Sequence, residues 1–199
     1  MTDDALDPRV ARTRRDVVDA AAALLLEEGW DAVSHVEVAR RAGYAKATVY
    51  THWPKRLDLI RAAIDQICDD SHNPPTTGDL REDLRVSLAD FATDLTEGHL
   101  DRLLAGVVER ANENDVVQAL RQRLYDTGTS AMRGILVDHL APRDVEPSLA
   151  LLIGAVLVRV TFEGKPATRA FVDDLIERVL GTADEASPVS ARREPKSRS

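Results

Sequence analysis

Apolar residues recur three and four positions apart along the chain, and no segment alternates apolar with polar residues for long, so the pattern predicts an all-α protein. The first helix is expected to open at Asp7-Pro8, an acidic cap before a proline at the first helical position. It would bury Val10, Val17, Ala21, Leu24 and Leu25 and stop at Gly29. Ser34-His35-Val36-Glu37 reads as a capping box, serine and glutamate satisfying each other's amides, and opens a second helix that breaks at Gly43. A short third helix covers about Lys46 to Trp53, because the residue before Pro54 resists the helical region. From Lys55 a fourth carries Leu57, Ile60, Ile64, Ile67 and Cys68 toward the loop Asn73-Pro74-Pro75.

Five further helices follow. They are Leu80 to Thr96, about Leu100 to Asn112, Asp115 to Leu140 with a weak point at Gly128, Pro147 to Gly164, and about Ala167 to Leu180. Asp115 through Gln118 reads as the cap of the seventh. Residues 185–199, rich in Ser, Pro and Arg, are expected to be disordered. About nine helices thus divide into a three-helix head (residues 1–57), a helical-bundle body (58–184) and a tail (185–199).

Charge follows the same division. The net charge is −8, yet the head is neutral, the body to residue 191 carries −11, and the last eight residues carry +3. Taken globally the charge discourages a polyanionic partner; taken by segment, the acidic body repels phosphate and leaves only the head able to dock. The basic tail from Arg192 to Arg198 reads as a solubilising end, with stray phosphate contacts as the alternative. One cysteine, Cys68, excludes an intramolecular disulfide, and no apolar run follows a basic N-terminal segment. The expected compartment is the cytoplasm. The stretch Leu149 to Phe162 holds 14 residues with Arg159 as its one charge, short of the ~20 that cross a bilayer, so no membrane partner is expected.

Residues 35–54 have the spacing of a helix-turn-helix: small Ala39 where two helices cross, Gly43 in the turn, and Val49 packing back beneath the first helix. Val49 and Trp53 share an inward face, so Ala47, Thr48, Tyr50 and Thr51 look outward, flanked by Lys46 and His52. That face is small and hydrogen-bonding, which suits a major groove. Arg9, Arg12, Arg14 and Arg15 form the one dense basic cluster of the head, either a solvated helix face or an arm reaching phosphate or the minor groove. Three short helices with an Ala and a Gly also make an ordinary helical subdomain; the full set of offsets favours DNA. His52 alternatively packs beside Trp53.

Val38-Ala39-Arg40-Arg41-Ala42-Gly43, then Thr48-Val49-Tyr50-Thr51-His52-Trp53-Pro54-Lys55-Arg56 with Leu59, resemble the tetracycline-repressor (TetR) family of bacterial transcription regulators. The resemblance covers roughly residues 10–60; beyond it only helix count and length agree. It implies that Thr48, Tyr50 and Lys55 contact phosphates, and that Lys46, Ala47 and Thr51 lie nearest the bases. Two residues depart from the family's pattern: Ala45 stands where a serine often caps the recognition helix, and Ala47 where a glycine is common. The lost cap costs about 1 kcal/mol of local helix stability. Base preference does not transfer.

The eighth helix is apolar nearly all round and must be covered on both sides. A second copy of the chain is the expected cover, with small Ala150, Gly154 and Ala155 allowing close approach. Ala150, Ile153, Gly154, Leu157, Phe171, Leu175 and Ile176 are the expected interface of a homodimer, in the family's four-helix arrangement. Such a dimer would bind double-stranded DNA at an inverted repeat, as a repressor released by a small-molecule effector in a cavity of the body. Candidate pocket residues are Phe91, Leu95, Leu104, Val107, Tyr125, Met132 and Phe162, with Arg159 as a polar anchor; the alternative is plain core. Four aromatics beyond residue 57 favour an aliphatic or lipophilic effector over a stacked planar one.

Cys68 sits on an apolar stripe, so a buried inert thiol is expected, with a redox sensor as the alternative. His35-x-Glu37 has no partners for a metal, the five histidines lack ligand spacing, and no nucleophile–base pair or glycine-rich phosphate loop stands out. No metal, cofactor or enzymatic activity is therefore expected. An all-helical ligand-binding or scaffold protein with a vestigial helix-turn-helix is the competing function, and an enzyme the third.

Overall fold

The structure, a computed structural model, describes residues 8–71, 74–112 and 114–186, with side chains as far as residue 181. The expected cap at Asp7, the turn at Asn73 and most of the 185–199 tail lie outside the described residues. Those described contain nine α-helices and no strand: α1 (Pro8–Glu27), α2 (His35–Ala42), α3 (Lys46–His52), α4 (Arg56–Asp69), α5 (Leu80–Thr96), α6 (Leu100–Ala111), α7 (Asp115–His139), α8 (Pro142–Leu157) and α9 (Arg169–Ala186). A 3₁₀ turn, Trp30–Ala32, joins α1 to α2, and a π turn, Val158–Phe162, prolongs α8.

Three boundaries differ from the sequence reading, each for a local reason. The α7 cap is Asn114, one residue earlier than expected; its side-chain oxygen accepts the Val116 and Val117 amides at 2.9 and 3.3 Å. As read, α7 continues through Gly128, because one exposed glycine costs a helix only about 1 kcal/mol. The proline that opens α8 is Pro142, and Pro147 lies inside the helix. Its missing N–H falls close to the N-terminus, where it removes one backbone hydrogen bond. Finally, α9 starts at Arg169 behind Thr168, whose hydroxyl accepts the Phe171 amide at 3.3 Å, and it runs through Gly181 to Ala186.

The buried side chains form two clusters. The first joins the head to α4, α6 and the start of α7, through Val17, Leu24, Trp30, Val49, Trp53, Ile60, Leu103, Val107 and Leu120. The second fills the space between α5, the end of α7, α8 and α9, through Leu84, Leu88, Met132, Leu136, Leu152, Val156 and Ile176. The head therefore shares its core with α6. Three α6 residues one turn apart grip the α1–α2 corner. Arg102 donates to the Glu27 carbonyl, Gly106 lies against Trp30, and Arg110 reaches both Asp31 oxygens at 3.1 Å while its guanidinium lies 5.5 Å from the Trp30 ring centre. From α4, Arg56 donates to the carbonyls of Val33, at 2.6 Å, and Trp30. Cys68 is a free, buried thiol within the first cluster.

Asp83 secures the turn before α5. Its buried carboxylate accepts the Thr77 amide and hydroxyl, both at 2.8 Å, and the Gly78 amide at 3.0 Å. The Thr77 amide leads these donors in holding the carboxyl below the usual Asp range. A depressed folded-state pKa stabilises the fold fully above the unfolded value, about 3.9, and this stabilisation is lost as pH falls through the folded value. Melting temperature measured from pH 7 down to pH 3 should therefore decline less steeply below about pH 4 in Asp83→Asn than in wild type.

Candidate nucleic-acid interface

The helix-turn-helix forms as its spacing predicts. Ser34 Oγ accepts the Glu37 amide at 3.2 Å and starts α2. The reciprocal half of the expected capping box does not form, because the Glu37 carboxylate turns to Arg40, whose Nε donates to its two oxygens at 3.1 and 3.0 Å. A charge-assisted bond to a guanidinium is stronger than one to a neutral amide, and Arg40 holds the Glu37 carboxyl below its ordinary range. Gly43 closes α2 at φ 76° and ψ 26°, a left-handed conformation that needs glycine. The next amide, Tyr44, returns to the Ala39 carbonyl at 3.0 Å, and the Tyr44 hydroxyl donates to Asp16 on α1 at 2.7 Å. Ala39 and Val49 are buried where the helices cross.

On α3 the outward set stands as read from sequence. Lys46, Ala47, Tyr50 and Thr51 are exposed, and Thr48 and His52 are half-buried at the flanks. Ala45 caps α3 without a side-chain bond, the consequence expected from the missing serine. The Thr51 hydroxyl donates to the Ala47 carbonyl at 2.9 Å, which occupies its proton and leaves its oxygen able to accept. His52 meets the Trp53 ring edge-on at 5.7 Å. Lys55 is exposed at the start of α4. All four members of the arginine cluster, Arg9, Arg12, Arg14 and Arg15, are exposed, Arg12 lying 3.8 Å from Asp16 and Arg14 5.8 Å from the Trp53 ring centre.

One arrangement on this face is not encoded by the spacing. Tyr50 stacks on His35 with ring centroids 3.9 Å apart and planes 5° from parallel, and the Lys46 ammonium lies 5.3 Å from the Tyr50 ring centre. His35 is fifteen positions from Tyr50, and only the crossing of α2 and α3 makes them neighbours. The signal available was a histidine at the first, inward-facing position of α2.

The body departs further from expectation. Phe91, Leu95, Leu104 and Met132 do gather in or against the second core cluster. Val107 belongs instead to the first, Tyr125 is exposed beneath the Arg133 guanidinium, and Phe162 is 82% exposed at the π turn. Arg159 pairs with Glu163 at 3.0 Å and lies 5.0 Å from the Phe171 ring centre. These residues fail to converge because α6 turns Val107 toward the head and the π turn swings Phe162 outward. A cleft of about 390 Å³ lies elsewhere, at the head–body joint between Trp30, Arg56, Ile60, Arg110 and Val117.

Of the expected interface residues, Ala150 is exposed, Ile153, Gly154, Leu157, Phe171 and Leu175 are half-buried, and Ile176 is fully buried in its own protomer's core. Ile176 is thus not available to a partner. The helical segment Pro142–Phe162 spans 21 residues and by length and composition alone is apolar enough to cross a membrane, longer than the sequence stretch suggested.

A helix-turn-helix with an outward polar recognition face, set on a larger helical body, defines a DNA-binding transcriptional regulator. Residues 17–63 match the family described as bacterial regulatory proteins, tetR family, and residues 74–179 match the tetracyclin repressor-like C-terminal domain. The chain belongs to the TetR family. It is 27% identical over 177 residues to the uncharacterized HTH-type transcriptional regulator YdeS of Bacillus subtilis, covering 85% of this chain and 88% of that one. It is 31% identical over 167 residues to the DNA-binding transcriptional repressor TetR of Mycobacteroides abscessus, covering 79% and 86%. Among solved structures, the regulator SCO7518 of Streptomyces coelicolor A3(2) superimposes with a TM-score of 0.62 at 25% identity, over 84% of this chain and 98% of that one.

Proposed function

We propose that this regulator acts in the cytoplasm as a homodimeric repressor that binds an inverted-repeat operator and is released by a lipophilic small molecule. The observation that carries the reading is an uncovered strip on α8. Ala150, Leu151 and Val158 are exposed beside half-buried Gly154, while Leu149, Leu152 and Val156 on the opposite side are buried. A second copy covers such a strip, and small residues let the two helices approach closely. A dimer then sets two recognition helices about 34–36 Å apart, one DNA turn, which is the spacing of an inverted repeat. In this reading the apolar segment Pro142–Phe162 meets a partner protomer rather than lipid.

Repression is supported by the 31% identical relative, which is described as a repressor. An effector is supported by Ser87 Oγ, which is buried on α5 without a hydrogen-bond partner among the described residues, beside the apolar second cluster. A lipophilic ligand that carries one polar group and enters between these helices would satisfy that hydroxyl and shift the head through α4.

Selection of bound sequences from random duplex DNA tests the reading. A two-fold inverted repeat is the expected result, and recovery of single half-sites would overturn it. On that operator, Lys55→Ala should lower the slope of log affinity against log salt by about 1. Tyr50→Phe should weaken all sequences alike, whereas Thr51→Ala should relax preference at one position by about 1–3 kcal/mol. Uniform losses in all three would remove Thr51 as a base reader.

A further inference from the structure

His35 occupies a position whose burial alone would favour an apolar side chain. It is 7% exposed, at the first position of α2, with Val38 and Ala39 buried behind it. A buried imidazole must find partners, and this one has two, one on α3 and one at its C-terminal cap. Its Nε2 lies 2.7 Å from the carbonyl of Trp53, the residue that ends α3. A carbonyl only accepts, so Nε2 carries the proton, and His35 satisfies one of the carbonyls that every helix leaves open at its C-terminus. Its ring face is the platform on which Tyr50 stacks at 3.9 Å. The Tyr50 ring thus has the imidazole 3.9 Å away and the Lys46 ammonium 5.3 Å away, and the residue still keeps 42% of its surface exposed.

We infer that His35 is the positioning residue of the recognition helix, fixing the Tyr50 ring so that its hydroxyl is held ready for a DNA phosphate. The inference rests on the reading of Tyr50 as a backbone contact. A tyrosine free to rotate must be ordered when DNA binds, and that ordering opposes affinity; a stacked ring has already been ordered by folding. The hydrogen bond to Trp53 orients the imidazole, and the stack transmits that orientation to Tyr50.

Three variants of the full chain separate the contributions. His35→Leu keeps the apolar volume but removes both ring and donor, His35→Phe keeps a ring face without the donor, and His35→Gln keeps a donor without the ring. Anisotropy titration of the selected operator should show roughly tenfold weaker binding for His35→Leu and His35→Gln, a loss of about 1.4 kcal/mol, and most of the affinity restored in His35→Phe. In a Tyr50→Phe background, His35→Leu should change affinity by less than about twofold, because coupled residues are not additive. The chain has three tyrosines, Tyr44, Tyr50 and Tyr125, so ¹³C-labelled tyrosine ring signals are readily assigned. Without DNA, the Tyr50 signal should move in His35→Leu and stay near its wild-type position in His35→Phe. An unmoved Tyr50 signal, or an affinity loss that is the same with Phe at position 50 and merely tracks melting temperature, makes His35 a core side chain and overturns the inference. Wild-type affinity in Tyr50→Phe alone overturns it by removing the contact, and the ring signal distinguishes the two failures.

Discussion

Gly154→Arg should convert the protein to a monomer and weaken operator binding by roughly 10²–10⁴-fold, the factor that joining two half-site contacts supplies. Gly154 lies in the middle of the uncovered α8 strip, and a Cβ built there meets nothing within 4 Å in its own protomer. The substitution therefore leaves the protomer's packing intact, and replacing an interior helical glycine raises helix propensity rather than lowering it. What it removes is the close approach of a second helix, and it places a guanidinium against an apolar surface that would otherwise be dry. Sedimentation velocity at micromolar concentration gives the mass, and anisotropy on full and half operators gives the affinity. Leu151→Glu, at a residue 55% exposed, should act in the same direction. Gly154→Ala should remain dimeric, because one methyl on a helix face still allows close contact. A dimer mass retained by both Gly154→Arg and Leu151→Glu would place the interface elsewhere on the body.

Residues whose chemistry is local were legible in the sequence. Gly43, Ala39 and Val49 have roles set by backbone geometry and by steric space within twenty residues, and each stands where its spacing implied. The α5 boundaries, Leu80–Thr96, followed from a regular apolar stripe, and the structure adds the Asp79 cap that the stripe does not show. The cap of α7 slipped by one residue because Asn114 and Asp115 are both competent, and only the three-dimensional turn selects between them. Side chains whose partners are distant in sequence were not legible. Periodicity places Val107 and Ile176 on an apolar face, but it does not tell which core that face meets; one packs toward the head and the other inside the body. Phe162 was misread for a related reason, since the π turn rotates the end of α8 away from the helical register that the pattern assumes. The His35–Tyr50 stack depends on two helices crossing, which no single periodic stripe encodes.

The joint between head and body provides the largest expected effect on stability. Trp30→Ala should destabilise the protein by about 3–5 kcal/mol, against a total of about 5–15 kcal/mol for a typical domain. At this chain length that is a fall in Tm of roughly 6–20 °C, read by thermal unfolding. The indole is 6% exposed, and α6 rides directly on it: a Cβ built on Gly106 would lie 2.8 Å from the Trp30 Cβ. Adding that methyl with Gly106→Ala should itself cost about 1–3 kcal/mol by forcing α6 off the corner. Trp30→Ala keeps the Cβ that the added methyl meets, so the double variant should remain less stable than Trp30→Ala alone. The ion pair beside them is expected to matter far less. Asp31 is 82% exposed, its bonds to Arg110 are screened by water, and Asp31→Ala should change stability by less than about 1 kcal/mol. A charge that dominated the joint would reverse this order, with Asp31→Ala the more damaging change. The expected order makes the fit of an indole to a bare stretch of helix backbone the element that holds the DNA-binding head in register with α6.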